Sequence, residues 1–338
     1  MKKVVTLSLV MVLLFGVLTV FVGCRDDEGG AHAMIAKNTG NAYMERMWDG
    51  FRSAIRAQGG TYITRAPVEP TVEGQITIID QLIAQRVASI GIAANDFDAL
   101  QPALRRAMDA GIMVYSLDSA VNAASRHVHV NQADTQGIGR TLVQAVYDLT
   151  GGAGEFAILS ATSTAANQNA WIAVMHNVLQ EPRFANLVHV STVFGDDLPD
   201  RSTVEAQALL ASFPNLRVIV APTTIGIAAA ARVVTAQGLI GQVYVTGLGL
   251  PSEMAEYILN GSCPHMYLWN PIDLGYLGGY VATALVNGTI SGETGGAFNA
   301  GRLGRRTVSV DAGGGTEILL GPPFRFDINN IAIWREVY

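Results

Sequence analysis

From residue 33 onward, short apolar runs alternate with longer stretches of helical periodicity. Residues 33–36 form a brief apolar run that reads as a strand. Over 42–58 the large side chains Met44, Met47, Trp48, Phe51 and Ile55 fall on one helical face, and Gly59-Gly60 ends the pattern. Tyr62-Ile63 opens a second strand. Residues 71–86 are again helical, with Ile76, Ile79, Leu82 and Ile83 as the apolar stripe and Thr71 placed to cap the first turn. A strand over 88–93, a helix over 98–110 closed by Gly111, and a strand over 112–117 ending in Asp118 complete this series.

The rhythm then restarts. Helices are predicted over 136–149, 168–179, 203–213, 225–237, 252–259 and 274–286. Strands are predicted between them, over 156–159, 187–193, 218–220, 243–246 and 265–268. Such alternation predicts an α/β fold of parallel sheets with helices on both faces. The break between the series falls near 130–135, so the chain reads as two similar, doubly wound lobes. Ligands of such sheets bind beyond the carboxyl ends of the strands, where two facing lobes would frame a cleft.

The loops at those strand ends carry the candidate chemistry: Lys37 to Met44 after the first strand, Asp118-Ser119 after the fourth, and Ser160 to Asn169 in the second series. Pro222-Thr223-Thr224, Gly247-Leu248-Gly249 and Trp269-Asn270-Pro271 come later in the chain. They supply amide, hydroxyl, carboxylate and ammonium groups together with the rings of Tyr43 and Trp269. A sugar presents the reverse of this mixture: hydroxyls that donate and accept, and C–H faces that pack on rings. Asn and Asp after strands also serve as helix caps and turn residues, and Trp269 fits a core position as well as a site. Asp118 stands apart, because it ends an apolar strand with no local partner in the sequence.

Composition narrows the picture. In 338 residues, 49% are hydrophobic and 15% charged, enough for a large core, and the formal charge of −6 comes without any basic block, which argues against a nucleic-acid partner. The cysteines are Cys24 and Cys263, too few for a disulfide scaffold. Lys2 and Lys3 precede an uncharged apolar run over 4–23, followed by Cys24 and the acidic residues 26–28. This is the layout of an export signal. The stretch Phe21-Val22-Gly23-Cys24 resembles the bacterial lipobox, with Phe21 where Leu is usual. It predicts a signal peptide over 1–23, lipidation at Cys24 and a polar tether over 24–31. An uncleaved membrane helix is the alternative, since the run can span the roughly 30 Å hydrocarbon core.

The strand-end loops also carry a family resemblance. Leu159-Ser160-Ala161-Thr162, Asn167-Gln168-Asn169, Gly195-Asp196-Asp197-Leu198, the run from Thr246 to Met254 and the run from Trp269 to Tyr276 resemble periplasmic sugar-binding proteins of the ribose-binding type, in particular their rhamnose-binding subgroup. Relatives that bind the furanosyl signal autoinducer-2 share the architecture. The resemblance implies a type I periplasmic binding fold, with the first lobe formed by 32–132 plus 264–292 and the second by 133–263 plus 293–338, joined by a hinge. It implies a site of Lys37, Asn41, Tyr43, Asp118, Asn167, Gln168, Pro222, Thr223, Thr224, Leu248, Trp269 and Asn270, with Met44 replacing an expected aromatic. Asn167 and Thr224 depart from the autoinducer-2 pattern, and Asn270 replaces an aspartate. The function implied by the resemblance is that of a substrate-binding lipoprotein of an ABC sugar importer, anchored outside the cytoplasmic membrane and working with a permease and its ATPase. Its expected ligand is rhamnose or a related deoxyhexose, with reception of autoinducer-2 as the alternative.

No enzymatic role and no cofactor is expected. Gly247-Leu248-Gly249 is followed by Ser252 where a dinucleotide fingerprint needs Gly, and no P-loop is present. His127 and His129 share a strand face without accompanying Cys or carboxylates, so no metal site is expected. Asp196, Asp197 and Asp200 lack calcium-loop spacing and are read as a turn leading into a helix.

Overall fold

A computed structural model of the chain describes residues 30–311 and 313–338. The export signal, Cys24 and nearly all of the tether lie outside the described residues. The first series forms β1 (His32–Ile35), α1 (Ala42–Ala57), β2 (Tyr62–Arg65), α2 (Val72–Ala84), β3 (Ser89–Ile92), α3 (Gln101–Asp109), β4 (Met113–Leu117) and β5 (Val128–Asn131). β1, β3 and β5 are buried at every position, as expected of parallel strands covered on both faces. The polar residues on them are paired: His32 Nδ1 lies 2.8 Å from Ser89 Oγ, and His129 Nδ1 lies 2.9 Å from Ser116 Oγ. Thr71 caps α2 as expected, its hydroxyl accepting from the Gly74 N–H. α3 starts three residues later than the sequence pattern predicts, with Pro102 in its first turn.

The second series forms α4 (Thr135–Thr150), β6 (Gly154–Ser160), α5 (Ala166–Val178), β7 (Leu187–Phe194), α6 (Pro199–Ser212), β8 (Leu216–Ala221), α7 (Thr224–Ala236), β9 (Tyr244–Gly247), α8 (Pro251–Asn260) and β10 (His265–Leu268). Beyond it come α9 (Pro271–Val286), β11 (Ala297–Asn299), β12 (Arg305–Thr307), β13 (Ser309–Val310), β14 (Thr316–Leu319), β15 (Phe324–Asp327) and α10 (Ile331–Trp334). The first sheet runs β13-β14-β5-β4-β3-β1-β2, parallel except for the β13–β14 hairpin edge. The second runs β7-β6-β8-β9, all parallel. A Leu248–Tyr267 bridge and a bond from Thr246 Oγ1 to the His265 carbonyl continue it to β10, against which β15 pairs antiparallel.

These pairings correct the expected lobe boundaries. Residues 265–268 join the second lobe, not the first, because β10 completes the edge that β9 would otherwise expose. β13 and β14, expected in the second lobe, cover the open edge of β5 in the first. The chain therefore crosses between lobes near 132–134, 269–270 and 320–323. The first and third crossings are tied by Leu320 N donating to the Asn131 carbonyl at 2.8 Å and Gly321 N to the Gln132 carbonyl at 3.3 Å.

α9 packs on α1 at backbone contact distance. A Cβ added at Gly275 would sit 1.7 Å from the Met47 carbonyl oxygen, and one at Gly50 would sit 1.8 Å from that of Ile272. No side chain fits at either glycine, so the two helices are locked to one another through main chain. Among the described residues no helix is long and apolar enough to cross a membrane.

Candidate functional site

The carboxyl ends of both sheets face each other across a cavity of about 360 Å³. Eleven of the twelve sequence-predicted residues line it: Lys37, Asn41, Tyr43, Asp118, Asn167, Gln168, Pro222, Thr223, Thr224, Leu248 and Trp269. The twelfth, Asn270, does not. It caps α9, its Oδ1 accepting from the N–H groups of Ile272 and Asp273. The Asn-Pro pair at 270–271 is a helix start, and that local role takes the side chain away from the cavity.

Each polar wall residue is fixed by the element it ends. Asn41 caps α1, its Oδ1 accepting from Tyr43 N and Met44 N, so its amide nitrogen is what it can offer a ligand. Asp118 follows β4 in the left-handed region, at φ 62°, rare for a residue with a side chain. Such backbone strain at a site wall is a functional signature when the surroundings hold it in place. Here they do: the Tyr43 hydroxyl donates to Asp118 Oδ1 at 2.9 Å, and Trp269 Nε1 donates to the Tyr43 oxygen at 2.7 Å. Across the cleft, Asn167 Nδ2 donates to Asp118 Oδ2 and Lys37 Nζ donates to Asn167 Oδ1, both at 3.3 Å. Lys37 Nζ stands 3.9 Å from Asp118 Oδ2, with both side chains almost wholly buried.

The electrostatics follow from burial. Desolvation pushes the Asp118 carboxyl above its ordinary range, opposed by the Lys37 charge and the Tyr43 hydrogen bond and reinforced by Asp197. Burial beside Asp118 pushes the Tyr43 hydroxyl well above its usual value, so it acts as a donor throughout the physiological range. Gln168 is a bracket: its Oε1 accepts from Ser160 Oγ at 2.7 Å and Ala161 N at 2.8 Å.

Met44, Trp171, Asp197 and Leu268 complete the lining. Trp171 was missed although it lies one helical turn beyond Asn167 on α5, on the same face. It packs against Trp269 at a centroid separation of 5.9 Å. Asp197 does form the turn before α6 that the sequence suggested, at φ 51°. It is also buried at the cavity and accepts from the Thr223 hydroxyl. His127 and His129 face β4 and bond to Val114 and Ser116. Among the described residues no group of three or more His, Cys, Asp or Glu is arranged to hold a metal ion.

Comparison with known proteins gives the same family as the site. The profile of the periplasmic binding protein domain matches residues 32–290. An ABC transporter solute-binding protein from Clostridium phytofermentas, solved with bound L-rhamnose, is 48% identical, covering 92% of this chain and 99% of its own, with a TM-score of 0.90. LsrB from Clostridium saccharobutylicum, solved in complex with AI-2, shares the fold at a TM-score of 0.84 and 21% identity, covering 89% and 98% of the two chains. A D-ribose/D-allose-binding protein from Pseudomonas aeruginosa is 25% identical over 223 residues, 64% of this chain and 69% of that protein. A profile match over most of the chain, two lobes meeting at one polar cavity and these likenesses have one reading: the chain belongs to the periplasmic binding protein family, extracytoplasmic and non-enzymatic, and is the sugar-binding component of an ABC transporter.

Proposed function

We propose that the interlobe cavity binds a single neutral deoxyhexose, L-rhamnose in the first instance, and that closure around it presents the protein to a membrane permease driven by a cytoplasmic ATPase. One observation carries the reading: Lys37 and Asp118 of the first lobe and Asn167 of the second meet, buried, at the wall of one cavity of about 360 Å³. Asp118 accepts from two neighbouring hydroxyls while Lys37 and the amide nitrogens of Asn41 and Gln168 donate. Met44, Trp171, Leu248 and Leu268 supply the apolar side that a methyl group requires. The solved relative with bound L-rhamnose supports this choice, and a sugar lacking a recognised hydroxyl would leave a buried partner unpaired. The closed form bridges both lobes and is the one ligand favours. Cys24 is read as the lipid attachment that holds the protein at the membrane.

Calorimetry tests the ligand. L-rhamnose is expected to bind with a Kd of about 1 μM or tighter, roughly 8 kcal/mol, and ahead of D-ribose and L-fucose. A flat rhamnose titration overturns the reading, and tight binding of AI-2 instead would assign the protein to signal reception. Labelled palmitate incorporation that is lost in Cys24→Ala is the expected result for the anchor.

A further inference from the structure

A second chamber opens directly behind the first cavity. It opens to solvent and shares Asp118, Asn167 and Trp171 with the first as a common wall. What separates the two is the contact of Asn167 Nδ2 with Asp118 Oδ2, a hydrogen bond of 3.3 Å between opposite lobes. The chamber is bounded by Phe97 of the first lobe, by Ala166 and Ala170 of α5, and by the crossing segment at Gln132 and Asp134.

Most of its polar groups are bonded, but some hydrogen-bonding capacity is unspent. Gln132 is 1% exposed, and neither its amide oxygen nor its amide nitrogen has a partner among the described residues. A buried amide left unpaired is costly, so Gln132 needs a partner, an ordered water or a ligand, beyond the protein's own groups. Asp134 spends one oxygen on the Gly137 N–H, and Glu317 spends one on Asn131. Each keeps the other. Arg126, which also lines the chamber, is bonded to Val121 and Thr316 and ion-paired with Asp311. The lining thus offers an amide, two carboxylate oxygens and the ring of Trp171, the mixture that recognises polyhydroxyl ligands, with no free cation among the described lining residues to attract an acid.

We propose that this chamber is a second sugar subsite, and that the protein also accepts a disaccharide whose rhamnosyl unit fills the first cavity and whose neutral second unit displaces the Asp118–Asn167 contact and packs on Trp171 against Gln132. The proposal rests on the sugar reading of the first cavity. Asp134 and Glu317 exclude a uronic acid in the second position.

The test is calorimetry of the whole exported chain with L-rhamnose, with rutinose (a rhamnosyl-glucose) and with a rhamnosyl-galacturonate disaccharide. Rutinose is expected to bind within about tenfold of rhamnose, and the galacturonate at least tenfold more weakly than rutinose. Ala170→Trp, which fills the chamber from the exposed side of α5, and Gln132→Leu, which removes the unpaired amide, should each weaken rutinose by about tenfold or more and leave rhamnose unchanged. Unchanged thermal shifts with rhamnose confirm that the variants fold. If rhamnose binds and rutinose does not, or if both variants hold rutinose as the parent does, the second subsite is refuted and the first cavity stands. If neither sugar binds, the reading of the first cavity falls, and the proposal with it.

Discussion

Arg126 and Asp311 meet at 2.6 Å, and the protein adds further bonds to both: the Val121 and Thr316 carbonyls accept from two more guanidinium N–H groups, and the Gly313 and Gly315 N–H groups donate to the carboxylate. Lys37 and Asp118 are equally buried but stand 3.9 Å apart, bridged by Asn167, while the Tyr43 hydroxyl donates to Asp118 alone. The carboxyls respond in opposite directions. At Asp311 burial works upward, but the Arg126 hydrogen bond, the glycine N–H groups and the Arg126 charge outweigh it and hold the group below its usual range. At Asp118 burial prevails and the group rises. A pair that the protein satisfies clamps the β14 edge to the first lobe. The looser pair lies at the cavity wall, where the proposed sugar would supply the missing bonds and the cost of burying the pair would be the counterpart of affinity.

The comparison can be broken, and Arg126→Ala should have the largest effect. It strands Asp311 and should lower unfolding free energy by about 3–5 kcal/mol in urea titrations, while the folded fraction keeps its rhamnose affinity within about twofold. An affinity loss matching the stability loss would erase the distinction between the pairs. Next comes Asp118→Asn, expected to cost about 2–3 kcal/mol of binding, on the order of 100-fold in Kd, with unfolding of the sugar-free protein at neutral pH unchanged or harder. The sign follows from the raised carboxyl: the unfolded chain ionises it first, so its ionisation opposes folding as pH climbs past the ordinary range.

Acid sharpens the contrast further. Burial and the nearby Arg126 charge lower His129 to about 3 from 6.5. Between these values the unfolded chain binds a proton that the folded chain refuses. The contribution is complete above pH 6.5 and is lost as pH falls toward 3. Urea midpoints should show about 1–2 kcal/mol less stability at about pH 5 than at neutrality from this group, and His129→Asn should flatten the dependence. The smallest effect is expected of Thr223→Val, which takes the hydroxyl from Asp197 and should weaken sugar binding by about 1 kcal/mol, roughly fivefold, with little change in melting temperature.

How far the fold was legible depends on where local pattern decides it. The long amphipathic helices and apolar strands from 33 to 286 announce themselves, because parallel strands covered on both faces are near-continuous apolar runs. The tail does not. β13 and β14 are two and four residues long and carry Ser309, Thr316 and Glu317; only the exposed edge of β5 makes strands of them. β10 was legible as a strand but not as a member of the second sheet, since adjacency in sequence gives no pairing. In the site, residues at strand ends were readable from chemistry. Asn270 misled because an amide before proline serves a cap as well as a sugar. Asp197 was passed over because a turn explained it, and a turn can also be a wall. Trp171 sits inside a helix whose other large residues are core, and only its spacing from Asn167 sets it apart.

The glycine contact between α1 and α9 bears on how the molecule moves. With main chain pressed on main chain at Gly50 and Gly275, α9 cannot slide or tilt relative to the first lobe. Rotation along the second crossing must therefore be taken up in the peptide units just ahead of α9, where Trp269 stands. The indole that lines the cavity is thereby mounted on the pivot itself, and any tug on that ring is a tug on the angle between the two halves.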